Sequence, residues 1–301
     1  MTPDDLQVSH HFVQLGDLRM HYVERGAGPL VVLLHGFPES WWSWRHIIPR
    51  LADAGFRVIA PDLRGYAETD KHGPYDLDTV THDVCRLIES LGDGPRAHII
   101  GHDWGGALAW HLASTRSSHC RSLAVLNCPH PAAIAQVALT HFRQLKRSWY
   151  IFFFQVPGLP ELWLTRNDAA EIVRVLRGNA IDKTNFSEEE LRPLRDAIQK
   201  PGAAHAMLGW YRAAFGGIVK RRGKPVEYPI IRAPSLLIWG LEDRALGFED
   251  LVPPTQKYVE ALRVEPIANC GHFVHAEQPD RVGALLIDFL QARTAEEQAR
   301  R

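Results

Sequence analysis

The chain has 301 residues, of which 46% are hydrophobic and 23% are charged. That is enough to bury a substantial core, because a domain near this size hides roughly 75% of the surface that its unfolded chain exposes. The 34 Lys and Arg residues nearly balance the 35 Asp and Glu residues, which gives a net charge of −1. This balance provides no cationic excess to bind nucleic-acid phosphates or an anionic membrane surface. We therefore expect neither nucleic acid nor a membrane among the partners.

The N-terminal sequence and the cysteines favour a cytoplasmic protein. The chain opens with MTPDDLQVSHHF, which lacks the basic and apolar stretches of a secretory signal. No apolar run approaches the ~18 residues that a membrane-spanning helix needs. The four cysteines are scattered and form no C-x-x-C motif, as expected for reduced thiols. His272 and His275 lie at helical spacing without an obvious third ligand, so we expect no metal site.

Along the first half of the chain, short apolar runs alternate with segments of helical length. Apolar runs without polar alternation are typical of strands buried on both faces, as in a parallel sheet. They predict strands over residues 30–34, 57–60, 97–100 and 123–126, with helices over 46–54, 77–91 and 106–114. Repeated strand–helix units indicate an α/β fold with right-handed crossovers.

After residue 131 the chain becomes helical and rich in aromatic residues and leucine. It contains predicted helices over 168–177 and 187–199, and no buried strand run up to about residue 226. Strands return over 236–239 and 263–266, and a helix over 279–292 follows. We therefore expect a core domain of residues 1–130 and 227–301, built on a mostly parallel sheet flanked by helices. A helical cap over residues 131–226 is inserted into it.

The sequence Gly101-His102-Asp103-Trp104-Gly105 follows a predicted strand and opens a predicted helix. It has the G-x-nucleophile-x-G form of a strand–turn–helix elbow. Such a turn leaves no room for side chains at the two glycines. It presents Asp103 at the carboxyl edge of the sheet, facing the positive end of the next helix. The alternative is a glycine-rich turn in which Asp103 only caps the helix. The G-x-G-x-x-G spacing of a dinucleotide-binding loop is absent.

Two further candidates follow the last two predicted strands. Asp243 ends the stretch Trp-Gly-Leu-Glu-Asp, and His272 lies in Asn-Cys-Gly-His-Phe. With Asp103 they occur in the order nucleophile, acid, histidine, which is that of α/β-hydrolases. Glu242 competes with Asp243 for the role of the acid.

The turn His35-Gly36-Phe37-Pro38 follows the first buried strand. In such folds this turn supplies one donor of an oxyanion hole, and the residue after the nucleophile supplies the other. The donors would be the backbone amides of Phe37 and Trp104, each typically worth ~10²–10³ in rate. A common Gly-Pro turn is the simpler interpretation of this stretch.

An aspartate nucleophile restricts the reaction. A carboxylate that attacks a saturated carbon forms an ester, which water can cleave, whereas a serine would form an inert ether. Asp103 therefore indicates a substrate in which a saturated carbon carries a leaving group. His272 would activate the water, and Asp243 would orient the imidazole and stabilise its charged form.

From about residue 10 to residue 292 the sequence resembles the epoxide hydrolases of the α/β-hydrolase family. The resemblance rests on His-Gly-Phe-Pro-Glu-Ser-Trp at 35–41, Asp-Leu-Arg-Gly-Tyr at 62–66, the Asp103 elbow and two tyrosines. Tyr150 precedes Phe-Gln-Val-Pro-Gly, and Tyr211 lies in a Trp-Tyr-Arg stretch, so the resemblance implies that both are catalytic. Ala67 departs from the family, which commonly has glycine there.

The resemblance implies an epoxide hydrolase without a cofactor, which forms a vicinal diol through an ester on Asp103. Tyr150 and Tyr211 would give a proton to the ring oxygen, because tyrosines hold their protons at neutral pH. A haloalkane or haloacid dehalogenase is the alternative, since related dehalogenases also carry a tryptophan at the position of Trp104. A ligand receptor without turnover is a more remote alternative, and the complete triad argues against it.

An apolar pocket between the cap and the sheet is the expected substrate site. The candidate residues for contact with substrate are Trp104, Phe37, Phe154 and Leu159. The expected partners are a small apolar epoxide and water, and a homodimer is left open. A nearly neutral protein with an aromatic-rich cap suits an uncharged substrate.

Overall fold

The described part of the protein, residues 3–140, 142–220 and 226–299 of a computed structural model, is built around one sheet of eight strands. In chain order the strands are β1 (Ser9–Leu15), β2 (Leu18–Arg25), β3 (Leu30–Leu34), β4 (Arg57–Pro61), β5 (Ala97–His102), β6 (Cys120–Leu126), β7 (Ser235–Gly240) and β8 (Leu262–Ile267). Across the sheet their order is β1-β2-β4-β3-β5-β6-β7-β8. From β4 to β8 neighbouring strands are parallel, and β1 and β2 pair antiparallel at one edge.

Helices cover this sheet. In chain order they are α1 (Ile47–Asp53), α2 (Leu77–Ser90), α3 (Trp104–Thr115), α4 (Pro131–Thr140), α5 (Phe142–Arg147), α6 (Trp149–Phe153), α7 (Leu159–Asn179), α8 (Glu188–Gln199), α9 (Ala203–Lys220), α10 (Phe248–Gln256), α11 (Val274–Glu277) and α12 (Pro279–Ala299). Every residue of β3, β5 and β7 is buried. Continuous apolar strands need cover on both faces, and the helices provide it. The predicted fold class, a mostly parallel sheet flanked by helices, is therefore confirmed.

The antiparallel edge formed by β1 and β2 was not among the predicted strands. β1 is half-exposed and carries two adjacent histidines, so it has no continuous apolar run. The two strands pair in register from Ser9 with Glu24 to Leu15 with Leu18, around a turn in which Gly16 has a φ of +71°. A short edge strand needs only one buried face, which leaves a weak signal in its sequence.

The described residues between β6 and β7 form the helices α4 to α9, which are joined by turns and loops. One difference from prediction lies in α7, which begins at Leu159 and not at residue 168. Residues 166–169 interrupt its helical conformation, and Asn167, Asp168 and Ala169 all have φ values between +50° and +55°. The predicted helix corresponds to the part of α7 after this break.

The first helix of this segment packs on the core. α4 contacts α10 and α3, both of which follow core strands. The division at residues 131 and 226 stays a prediction, because packing alone does not define where an inserted domain begins. Among the described helices, none combines the length and the apolar character needed to cross a lipid bilayer.

Candidate active site

Asp103 occupies a strained turn between β5 and α3. Its φ is +50° and its ψ is −120°, a conformation that residues other than glycine rarely adopt. A Cβ on Gly101 would lie 2.2 Å from the carbonyl oxygen of Gly105, and one on Gly105 would lie 2.1 Å from that of Leu34. The turn can therefore close only because both glycines lack side chains. It presents Asp103 at the carboxyl edge of the sheet, as the elbow motif predicts.

The carboxylate of Asp103 meets a different group at each oxygen. The backbone N–H of Phe37 donates to Oδ1 over 2.9 Å. Nε2 of His272 lies 3.5 Å from Oδ2. Trp104 is the first residue of α3, so its N–H has no partner within the helix. The structure thus brings one predicted oxyanion donor onto Asp103 and leaves the second directly beside it.

Asp243, and not Glu242, contacts the imidazole of His272. Oδ2 of Asp243 lies 2.7 Å from Nδ1 of His272, and the carboxylate is buried. Its Oδ1 accepts two backbone N–H groups of the turn that follows it, over 2.8 and 2.9 Å. Glu242 is exposed, and it accepts the backbone N–H of Cys270 over 3.0 Å. Of the two candidates, Asp243 is therefore the one that the geometry favours as the predicted triad acid.

Asn127 holds the carboxylate of Asp243 in place, and the sequence analysis did not identify Asn127 as a site residue. Its Nδ2 donates to Oδ2 of Asp243 over 2.8 Å and to the carbonyl of Gly271 over 3.2 Å. Its Oδ1 accepts the N–H of Gly240 over 3.1 Å. Asn127 follows β6 directly and has a φ of +44°, which asparagine tolerates better than most residues. The signal in the sequence that could have identified Asn127 was its place directly after a predicted strand.

The two carboxylates keep His272 protonated in the free protein. Burial alone would lower the pKa of His272, but the charges and hydrogen bonds of Asp243 and Asp103 hold the pKa well above its usual range. Both ring nitrogens face carboxylate oxygens, which only accept hydrogen bonds, so a doubly protonated ring suits the site. Burial would raise the pKa of Asp243, but His272 and Asn127 hold it below its usual range.

The two predicted tyrosines lie together in a group of aromatic rings beside Asp103. The ring centroids of Tyr150 and Tyr211 are 6.0 Å apart and nearly perpendicular. Tyr211 also contacts three other predicted site residues, Phe37, Trp104 and Phe154, at centroid distances of 5.3, 5.0 and 5.0 Å. Trp104 follows Asp103 in the chain, and the N–H of Phe37 donates to Asp103. The group therefore brings both tyrosines to the elbow.

Both tyrosines hold their protons firmly. Burial and the charge of Asp103 raise the pKa of Tyr150 above its usual value. The same two causes raise the pKa of Tyr211 well above it, although a hydrogen bond with Trp104 lowers it in part. Because the charge of Asp103 is the next cause of this shift after burial, the shift weakens when that charge is lost.

Leu159 is the predicted contact residue that the structure does not bring to this group. It is 53% exposed at the start of α7. Its backbone N–H donates to the carbonyl of Pro157 over 2.9 Å. Phe154, by contrast, is buried among the rings.

A buried network of hydrogen bonds links the turn at residues 35–38 to the loop of His272. Oε2 of Glu39 accepts the N–H of Gly36 over 2.7 Å and that of the His102 Nδ1 over 2.8 Å. The other nitrogen of His102 donates to the carbonyl of His272 over 2.9 Å. His275 completes the network through a 3.1 Å contact with Oε1 of Glu39.

Glu39, His102 and His275 are also the one group among the described residues whose ligand atoms could converge on a metal ion, within 4.8 Å of one another. Both oxygens of Glu39 and both nitrogens of His102 already take part in hydrogen bonds. The group therefore fits a hydrogen-bonded support better than a metal centre.

Comparison with known proteins identifies the family of the chain. A family model described as alpha/beta hydrolase fold matches residues 29–279. The chain is 38% identical over 290 residues to an AB hydrolase superfamily protein of Bacillus subtilis, which covers 94% of this chain and 98% of the relative. It is 35% identical over 294 residues to epoxide hydrolase 3 of Xenopus tropicalis. That alignment covers 94% of this chain and 78% of the relative.

A solved structure shows the same likeness. The crystal structure of a Bacillus megaterium epoxide hydrolase in complex with an inhibitor matches with a TM-score of 0.85 at 26% identity, over 93% of this chain and 100% of the other. The strand order of the sheet, the family model and the sequence likeness agree. The chain belongs to the alpha/beta-hydrolase fold family, and within it to the epoxide hydrolase-like enzymes.

Proposed function

We propose that this protein hydrolyses a small apolar epoxide to a vicinal diol through a covalent ester on Asp103. The observation that carries the proposal is the placement of one carboxylate between a backbone N–H, an imidazole and two protonated tyrosines. Relatives named epoxide hydrolases support the choice of substrate class.

In the first half-reaction, Oδ2 of Asp103 attacks one carbon of the epoxide ring, and the bond from that carbon to the ring oxygen breaks. The oxygen takes a proton from Tyr150 or Tyr211 and becomes a hydroxyl. The tyrosine that gave the proton is left as a phenolate. Formation of the neutral ester removes the Asp103 charge that raised the tyrosine pKa values, so each becomes a stronger acid as the reaction proceeds.

The same loss of charge prepares His272. With Asp103 esterified, one cause of the raised pKa of His272 disappears. The imidazolium gives up its proton, and the phenolate recovers one. His272 is then neutral and can act as a base.

In the second half-reaction, His272 takes a proton from water, and the hydroxide attacks the carbonyl carbon of the ester. The amides of Phe37 and Trp104 stabilise the oxyanion, for which the Phe37 N–H already lies at Oδ1. The tetrahedral intermediate collapses, and its bond to the diol oxygen breaks. That oxygen takes up the proton that came with the hydroxide. Asp103 returns as a carboxylate and His272 as an imidazolium.

Two other functions fit parts of the site. A dehalogenase would use the same nucleophile, but a halide leaves without a proton, so two protonated tyrosines favour an epoxide. A receptor without turnover would not need Asn127 and Asp243 to hold the imidazole.

The test compares epoxides and haloalkanes as substrates of the parent protein and of two variants. We expect diol from styrene oxide and no halide from matched chloroalkanes. His272→Gln removes the base, so it should accumulate the ester, seen by intact-mass spectrometry as an adduct on Asp103. Asp103→Asn should form neither adduct nor diol.

Glu242→Gln is the matched control, because it changes a neighbouring carboxylate that does not contact the imidazole. It should retain the activity of the parent. Diol formation by Asp103→Asn, or halide release without diol by the parent, would contradict the proposal.

A further inference from the structure

One buried carboxylate, Glu277, ties the loop of His272 to the segment that follows α7. Both of its oxygens lie 3.0 Å from the N–H of Gly271. Oε2 also accepts the N–H groups of Ile181 and Asp182, over 2.7 and 3.2 Å. Glu277 is only 3% exposed, so these amide bonds replace the water that its carboxylate would otherwise bind. The carboxylate thus joins two segments that are about 90 residues apart in the chain.

The backbones of the two segments also meet directly. The N–H of His272 donates to the carbonyl of Asn179 over 3.1 Å. A Cβ on Gly271 would lie 2.1 Å from that carbonyl oxygen and 2.9 Å from Oε1 of Glu277. This joint between residues 179–182 and residues 271–272 is therefore closely packed. A displacement of residues 179–182 would be passed to the backbone of the catalytic histidine.

The bonds of Glu277 act next to the base and away from the nucleophile. Gly271 is the residue immediately before His272, whereas Asp103 is held by its own elbow and by the Phe37 amide. The tyrosines lie on α6 and α9, which Glu277 does not bond. Loss of the carboxylate should therefore disturb the imidazole more than the groups that form the ester.

We propose that Glu277 is a positioning residue for His272, required for hydrolysis of the ester and not for its formation. This inference rests on the proposed function, because it assigns Glu277 to the second half-reaction. Misplacement of a reacting group by about 1 Å can cost roughly 10²-fold in rate. The joint also connects the base to α7, which packs against α9 and so against the helix of Tyr211.

The test separates the two half-reactions in Glu277→Gln. The amide keeps the size of the side chain but turns an NH₂ group toward N–H donors, so at least one bond is lost. We expect ester hydrolysis to slow about 10- to 100-fold, while ester formation stays within about twofold. The ester should then accumulate in the steady state. kcat and KM should fall together, so kcat/KM should be unchanged.

Glu242→Gln is again the matched control, since it accepts one backbone N–H from the same loop, that of Cys270, at an exposed position. It should behave as the parent in both steps. Glu277→Asp, which keeps the charge with a shorter side chain, should fall between the parent and Glu277→Gln. Equal slowing of both half-reactions in Glu277→Gln, or no slowing of hydrolysis, would overturn the proposal.

Amide hydrogen exchange provides a readout that does not need turnover. In Glu277→Gln, exchange at Gly271, His272, Ile181 and Asp182 should accelerate at least tenfold, while exchange in β5 stays unchanged. Unchanged exchange at these four amides would overturn the positioning role whatever the activity. A parent protein that forms no ester would instead contradict the proposed function, while exchange still tests the joint.

Discussion

His272 changes its protonation state during the proposed cycle because its pKa depends on the charge of Asp103. The charge of that carboxylate and its hydrogen bond help to raise the pKa in the free protein, and esterification removes both. In the proposed cycle, the charge state of Asp103 therefore controls whether His272 can act as a base. The same dependence makes the stability of the free protein sensitive to pH.

This sensitivity has a definite sign. In the unfolded chain a histidine titrates near pH ~6.5, whereas the folded protein holds the His272 proton to a higher pH. The stabilisation is complete below about pH 6.5 and is lost as the pH rises through the folded pKa. Above about pH 6.5, and up to the pH at which the folded protein releases this proton, the free energy of unfolding should therefore fall as the pH rises, with a slope of at most one proton.

Urea unfolding across that range measures the slope. Asp103→Asn removes one cause of the raised pKa, so its slope should be smaller than that of the parent. Equal slopes in the two proteins would show that Asp103 does not raise the pKa of His272.

Among single residues, the sequence identified those candidate site residues that belong to local motifs. Asp103 follows β5 between Gly101 and Gly105, and His272 follows Gly271 in the loop after β8, so a short stretch is enough to identify each. Asn127 and Glu277 have no such motif, because their partners lie in other segments: Asp243 for Asn127, and residues 181 and 182 for Glu277.

Leu159 shows why the sequence could not separate the contact residues of this segment. It was predicted as a contact residue together with Phe154, as an apolar residue of the aromatic-rich helical stretch. The chain turns at Gly158, which has a φ of +76°, and α7 begins directly after it. Leu159 lies at the end of an exposed stretch, residues 156–159, which separates it from the buried Phe154.

At the scale of elements, the elbow depends on the close approach of β5, α3 and the turn after β3. A methyl group on Gly105 would overlap the carbonyl of Leu34, which belongs to a buried strand and cannot move freely. We expect Gly105→Ala to destabilise the protein by about 3 kcal/mol or more and to abolish ester formation. Chemical unfolding and intact-mass analysis measure the two effects.

Gly216→Ala in α9 is the control, because a Cβ there would have no neighbour within 4 Å. Alanine favours a helix over glycine, so this variant should be as stable as the parent or up to about 1 kcal/mol more stable. Similar stability of the two alanine variants would contradict the steric account of the elbow.

The strands that position the site were predictable because each is a continuous apolar run. Its ends shifted by three residues or fewer in the structure, as for β6, which begins at Cys120. The helices between β6 and β7 were less predictable. In α7 the break at residues 166–169 is tied to α8, where Arg195 and Gln199 donate hydrogen bonds to Asp168. Such contacts between elements do not appear in local periodicity.

At the scale of the whole molecule, the four cysteines report on its integrity. All four are free and buried. Burial raises the pKa of Cys85 to about 11 and that of Cys120 to about 12. We expect none to react with an aromatic disulfide reagent at pH 8 in the folded protein, and all four to react after unfolding in guanidinium. Fast reaction of a thiol in the folded protein would contradict the buried placement.

The sheet order has a consequence for synthesis of the chain. β6 ends at Leu126, and β7, its parallel neighbour, begins only at Ser235. A ribosome that adds ~5–20 residues per second needs roughly 5–20 s to make the chain between them. During that interval β6 is an open edge whose backbone can pair with another nascent chain. The helical segment that supplies the tyrosines thus also sets how long the growing protein is exposed to aggregation.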